Sequence, residues 1–235
     1  MKRFVLLASM LTLGGPLAHA ANPPPAVPAV RYLYLIRHGM YDRDDHADDR
    51  VGNGLNALGR EQALLIGARL ASLPVRMTSL ASSDYTRALE TAALVGRALG
   101  MTPAPDSLIH ECTPPSARPD SLRRRAPDEQ AACEANLAAA WTRYVRPAAA
   151  LDEHDVLVCH GNVIRWFVSR ALGLDPRRWS SMDIANASLT VIAVRPDGGT
   201  RLVMFSDVGH LPVPKQTWTG RGAGWGTAPA PRMGP

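Results

Sequence analysis

The chain has 235 residues, 46% of them hydrophobic, and its length fits one domain with a sizeable core rather than several. Lys and Arg outnumber Asp and Glu by 26 to 21, a formal charge of +5 that suits anionic substrates and requires no nucleic-acid partner. Cysteines number 3, so at least one is left free or paired between molecules.

In chain order, Met1-Lys2-Arg3 is a charged start, Phe4 to Leu13 is apolar, Gly14-Gly15-Pro16 breaks the run, and Ala18-His19-Ala20 is a small-x-small site. Residues 1–20 read as a cleaved secretory signal peptide, giving a periplasmic or secreted mature chain from Ala21. An uncleaved anchor is the alternative, although the apolar run falls short of the roughly 20 residues that span a bilayer. Cleavage would remove Lys2 and Arg3, lowering +5 to +3. Residues 21–30, with Pro23-Pro24-Pro25 and Pro28, are a stiff spacer. Residues 31–215 form one domain, and 216–235, rich in Gly, Pro and Ala with Trp218 and Trp225, form a disordered tail.

Within the domain the pattern predicts strand 31–36, helix 57–72, strand 76–81, helix 84–99 and a short strand near 102–105. A loop through Pro127 precedes helix 128–146, strand 155–160, helix 162–172 and strands 188–195 and 201–206. Alternating strands and helices give an α/β three-layer sandwich with a mostly parallel central sheet. The turn Pro196-Asp197-Gly198-Gly199 makes the last two strands a hairpin and therefore an antiparallel edge.

Chemistry-bearing residues collect where strands end. Tyr32-Leu33-Tyr34-Leu35-Ile36 runs into Arg37-His38-Gly39, and Asp155-Val156-Leu157-Val158-Cys159 runs into His160-Gly161-Asn162. Ser82-Ser83-Asp84-Tyr85-Thr86-Arg87 opens a helix with Arg87 on its first turns. Open α/β sheets bind ligands at such junctions. Arginine's planar fork matches phosphate oxygens, and a neutral imidazole can attack phosphorus to give a phosphohistidine. A leaving alcohol then needs a proton donor, for which Glu111 is the best carboxyl; Glu153 and Glu90 compete, and Glu90 faces away on its helix.

The R-H-G, the S-S-x-x-x-R-A-x-E-T segment, Glu111 before a Pro-containing loop, and His160-Gly161-Asn162-Val163-Ile164-Arg165 together resemble the histidine phosphatase superfamily, in its phosphoglycerate-mutase-like branch. Leu58-Gly59-Arg60-Glu61-Gln62-Ala63 and Arg69-Leu70-Ala71-Ser72-Leu73 extend the likeness, which covers roughly residues 31 to 215 and is greatest to a mitochondrial protein serine/threonine phosphatase of that branch. The resemblance implies a metal-independent phosphomonoester hydrolase with no cofactor, acting on a phosphoprotein or a small phosphomonoester. It makes His38 the nucleophile, Arg37, Arg87, His160 and Asn162 the phosphate-binding set, and Glu111 the acid and then the base.

The chain also departs from the family. Met40-Tyr41-Asp42-Arg43 stands where mutases carry Glu-Ser, which counts against mutase activity. His110 and Cys112 flank Glu111 where the relative has Arg and Gly, so His110 is the alternative proton donor. No His-Asp pair replaces His160-Gly161, so the acid-phosphatase branch fits poorly. Phosphatases of envelope sugar or lipid phosphates or of metabolites remain alternatives, as does a catalytically weak phosphopeptide-binding module.

Among other features, Cys112 and Cys133 could pair, and Cys159 reads as buried packing. His46 among Asp42, Asp44, Asp45, Asp48 and Asp49 reads as a solvated acidic loop rather than a metal site. Arg118 and Arg123-Arg124-Arg125 either meet an anionic substrate or are solvated.

Overall fold

A computed structural model describes residues 28–42, 46, 48, 51–118 and 125–218. The expected leader, most of the spacer, most of the acidic loop, Arg123-Arg124, Trp225 and residues 219–235 lie outside the described residues.

Six strands form one sheet in the order β3-β2-β4-β1-β5-β6, with β1 Arg31–Arg37, β2 Ser79–Ser82, β3 Ala104–Pro105, β4 Glu153–Cys159, β5 Leu189–Val194 and β6 Thr200–Asp207. β1 runs parallel to β4, as β2 does to β4 and β3, while β5 is antiparallel to both β1 and β6. The strand-helix alternation and the hairpin therefore gave the right architecture.

Each central strand is apolar on both faces, as a sheet covered by helices on both sides requires. On one face Leu33, Leu35, Leu157 and Ile192 pack with α3 (Pro127–Tyr144) and α4 (Gly161–Ala171) through Leu137, Trp166 and Phe167. On the other face Ile36, Val156, Val158 and Val191 pack with α1 (Ala57–Ala71) and α2 (Thr86–Leu99) through Ile66, Leu70, Ala92 and Val95. Truncating a ring as buried as Phe167 would cost about 3–5 kcal/mol.

The helix ends follow local chemistry. Asn56 caps α1 by accepting from the Gly59 N–H at 2.8 Å, and α3 opens with Pro127 followed by Asp128 and Glu129, which suit the positive end of its dipole. α2 stops at Gly100, whose φ of 66° lies in the left-handed region that favours glycine. Short 3-10 turns at Ser107–Ile109, Pro176–Ser181 and Val213–Lys215 went unrecognised in the sequence.

Two local expectations change. β2 starts at Ser79 rather than residue 76, because its pairing with β4 begins at Ser79↔Asp155. The tail is held at its start: the Asn186 N–H donates to the Thr217 carbonyl at 2.9 Å, and Gln62 Nε2 donates to Thr217 Oγ1 at 2.9 Å.

Candidate active site

Register alone brings the two histidines together. Arg37 pairs with Cys159 across parallel β1 and β4, so the next residues, His38 and His160, leave the sheet side by side. The His38 N–H donates to the Cys159 carbonyl at 3.0 Å, and the ring centroids are 5.1 Å apart. β2 ends beside β4 with Ser82 opposite Val158, which carries Ser83 and the first turn of α2, hence Arg87, to the same place. His38, His160 and Ser83 are fully buried, and Arg37 and Arg87 nearly so.

Arg87 reads both imidazoles. Its Nε donates to His38 Nε2 at 3.2 Å, and its Nη2 lies 3.3 Å from His160 Nδ1. A guanidinium can only donate, so both of those ring nitrogens present lone pairs. The protons then sit on His38 Nδ1, which donates to the Gly39 carbonyl at 2.8 Å, and on His160 Nε2, which donates to Ser83 Oγ at 2.8 Å. Burial, reinforced by Arg37 and Arg87, holds the His38 pKa well below its ordinary value. Burial does the same to His160, helped by His38 and the two arginines. Both rings are neutral at pH 7, and His38 Nε2 carries a lone pair, held in the ligand-free site by Arg87 Nε–H, that can turn to an electrophile when the guanidinium engages an anion.

Aromatic rings frame Arg87. Its guanidinium carbon lies 5.0 Å from the Tyr41 centroid and 5.1 Å from that of Tyr85. Tyr41 also packs edge-on against His38 at 5.4 Å. Beneath the R-H-G loop the first turn of α1 comes so close that a Cβ on Gly59 would collide with the Met40 carbonyl. Thr91, one helical turn past Arg87, accepts from the Gly39 N–H at 3.1 Å.

Glu111 lies at the N-terminal end of α4. The Asn162 backbone N–H favours its charged form, and Oε2 is 3.9 Å from His160 Nδ1. Burial raises its pKa above the ordinary carboxylate value, outweighing the opposing charges of Arg87, Arg37 and Arg165. The carboxyl therefore keeps its proton to higher pH than a solvated glutamate, as a proton donor should. Burial and the neighbouring arginines Arg165 and Arg87 lower Arg37 to about 10, against the opposing pull of Glu111, and leave it charged at pH 7. Arg37 Nη1 donates to the Ile184 carbonyl, while Arg37 Nε and Glu111 Oε1 are buried without a hydrogen-bond partner among the described residues. Unmet donors and acceptors at one spot mark where a polar ligand would bind.

The structure thus brings together His38, Arg37, Arg87, His160 and Glu111. Asn162 comes to the same end of the sheet, where its Nδ2 donates to the Cys112 carbonyl at 2.8 Å and its Oδ1 accepts from Arg165 at 2.6 Å, contacts that tie the side chain to the Glu111 loop. The rival carboxyls lie elsewhere. Glu90 accepts from the Leu55 N–H at 2.8 Å and pairs with Arg60, and Glu153 pairs with Arg31 at the far end of the sheet. His110 lies against Tyr85 and 3.9 Å from Asp84. Arg125 pairs with Glu129 at 3.8 Å. Cys112 and Cys133 form a disulfide, and Cys159 is a buried free thiol. The sequence reading missed Ser83, Tyr41, Thr91 and Arg165 as parts of the site; Ser83 and Thr91 stood inside the S-S-x-x-x-R-A-x-E-T segment and could have been found from helical spacing.

A neutral, buried imidazole flanked by two guanidiniums at parallel strand ends defines a phosphoryl-transferring α/β enzyme. The chain belongs to the histidine phosphatase superfamily (branch 1), whose family model matches residues 33–207, and it is a phosphatase working through a phosphohistidine. It is 36% identical over 197 residues to the mitochondrial serine/threonine-protein phosphatase Pgam5 of Caenorhabditis briggsae, covering 81% of this chain and 68% of that protein. Identity to the human mitochondrial serine/threonine-protein phosphatase PGAM5 is 36% over 196 residues, covering 80% of this chain and 66% of that protein. Among solved structures, a phosphoglycerate mutase from Bacillus anthracis shares the fold with a TM-score of 0.61 at 19% identity, covering 78% of this chain and 96% of that one.

These relatives overturn one expectation. They are mitochondrial proteins, so the periplasmic or secreted setting read from residues 1–20 does not stand. A charged start and a short apolar run are compositional signals decoded by other proteins, and composition does not name the membrane. Among the described residues, no helix is long and apolar enough to cross a membrane.

Proposed function

We propose that the chain dephosphorylates phosphoserine and phosphothreonine in proteins, with His38 Nε2 as the nucleophile. Arg37 and Arg87 clamp the phosphoryl oxygens, and His160 becomes a cationic donor once a dianion enters and raises its proton affinity. Glu111 gives its proton to the departing seryl or threonyl oxygen and then, as carboxylate, takes one from the water that hydrolyses phosphohistidine. The observation that carries this reading is the Arg87 contact to both imidazoles, which fixes the lone pair on His38 Nε2. The protein-substrate assignment is supported by relatives named for that activity, and the Met40-Tyr41-Asp42 departure argues against a mutase.

A turnover comparison on the full chain tests the substrate class. Phosphoserine and phosphothreonine peptides should exceed hexose and glycerate phosphates in kcat/KM by at least about tenfold, the factor that 1.4 kcal/mol of differential transition-state binding supplies. Preference for the small sugar phosphates would overturn the assignment.

A further inference from the structure

Arg165 lies outside the set of groups just assigned, yet it joins the segments that surround Glu111. Three of its nitrogens are engaged: Nε with the Gly161 carbonyl at 3.1 Å, Nη1 with the Met182 carbonyl at 3.0 Å, and Nη2 with Asn162 Oδ1 at 2.6 Å. Its guanidinium carbon stacks 5.0 Å from the ring of Trp179. Those neighbours pass the contact onward. Asn162 Nδ2 donates to the Cys112 carbonyl at 2.8 Å, and Trp179 Nε1 donates to the Pro115 carbonyl at 3.0 Å. Both carbonyls belong to the loop that presents Glu111, one immediately after it and one four residues on.

We propose that Arg165 is a positioning residue for the general acid: through Asn162 and Trp179 it fixes the Cys112 and Pro115 carbonyls and so sets where the Glu111 carboxyl stands. The inference rests on the reading of Glu111 as proton donor. Arg165 is set apart from the phosphate ligands, because its Nε, Nη1 and Nη2 each meet a protein oxygen, whereas Arg37 Nε is buried without a hydrogen-bond partner among the described residues. Its charge also bears on Glu111 alongside Arg37 from β1, Arg87 from α2 and His160 at the cap of α4, while His110 precedes Glu111 on the same loop. Geometry set at a distance in this way can matter as much as the group itself, since misplacement by about 1 Å can cost 10²-fold.

The test uses single-turnover phosphorylation of the full chain by a phosphoserine peptide and by p-nitrophenyl phosphate, whose leaving group departs readily without a proton, together with vanadate affinity. Arg165→Met should slow the peptide by at least about tenfold, a part of the 10²–10⁴-fold that general acid catalysis supplies. It should slow p-nitrophenyl phosphate by less than about threefold and leave vanadate affinity within about twofold, the limits that separate loss of proton donation from loss of phosphate binding. Removing one cation that favours the carboxylate should also move the alkaline limb of the peptide profile to higher pH. Arg165→Lys should restore that limb, by keeping the charge, but only part of the rate, since it lacks the fork.

Asn162→Ala cuts the same path without touching the guanidinium, so it carries the test if Arg165→Met fails to fold. The double variant should be no slower than the slower single one. Vanadate affinity falling in step with rate would make Arg165 a phosphate ligand, and equal slowing of both substrates would make it general support; either result overturns the proposal. Glu111→Gln separates the two layers. If it slows both substrates equally, the reading of Glu111 fails, whereas if it discriminates between them and Arg165→Met does not, only the positioning role falls.

Discussion

β1 and β4 place the same pair of residue types near both ends: Arg31 and His154 at one, Arg37 and, one residue past β4, His160 at the other. At the first end Arg31 lies between Glu153 and Asp155, and His154 stacks on Tyr32 with 5.1 Å between centroids and bonds to the Tyr34 hydroxyl at 3.0 Å. At the other, Arg37 faces Arg87 and Arg165, and the nearby carboxyl, Glu111, is itself pushed toward its neutral form by burial. Burial lowers both histidines, but carboxylates oppose it at His154 whereas cations add to it at His160. One end has its charges matched within the chain, and the other holds positive charge for a ligand that brings the negative. The presence of Arg and His says little; whether the fold compensates them separates structure from chemistry.

Exchanging one arginine at each end should split stability from activity. Arg31→Met leaves two carboxylates without their buried partner and should lower stability by about 3–5 kcal/mol in denaturant titrations, with kcat of the folded protein unchanged. Arg37→Met removes one of several crowded cations. It should leave the melting temperature level or raised while cutting kcat/KM and vanadate affinity by about 10²–10³-fold, the range for losing one preorganised donor. If both variants lose stability alike, the comparison between the two ends fails.

The Cys112–Cys133 disulfide ties the Glu111 loop to α3 across a sequence separation of 21, a closure worth about 3 kcal/mol in the chain-entropy account. Cys133→Ala, or reduction by a dithiol, should lower the denaturant midpoint accordingly and slow a phosphoserine peptide more than p-nitrophenyl phosphate. Unchanged unfolding curves with and without reductant would show that the bond does not restrain the loop.

A smaller effect concerns pH. His38 and His160 have folded-state pKa values well below the 6.5 of a free imidazole, so as pH falls below 6.5 the unfolded chain binds protons that the native chain does not. Stability should therefore fall with pH in that window, by up to about 1.4 kcal/mol per unit for each group, and vanadate should reduce the loss because an anion in the pocket favours the protonated rings. The acid limb of kcat/KM should likewise lie below 6.5, since His38 stays neutral there. A limb at or above 6.5 would contradict its desolvation.

Much of this was readable in advance because it is local. The apolar runs ending in Arg37-His38 and Cys159-His160 announce strands and their ends, and alternation with periodic helices announces the layers. The register that sets His38 beside His160 is a pairing of residues more than 120 positions apart, which no local pattern encodes. Asn162 stood in the right motif but turns its amide to Cys112, a contact fixed by where the Glu111 loop lands. Arg165 and Tyr41 gain their meaning only from such long-range packing. The short 3-10 turns lack a hydrophobic period to reveal them.

Rapid-quench labelling with a 32P-phosphoserine peptide tests the central claim most directly. Wild-type protein should take up a burst of acid-labile, alkali-stable phosphoryl label within the first turnover, lodged on His38, and His38→Ala should keep its fold but take up none, with turnover lost on the order of 10⁵-fold, as for other deleted nucleophiles. An undiminished burst in His38→Ala, or label that survives acid, would place the phosphoryl group on another residue and contradict the account.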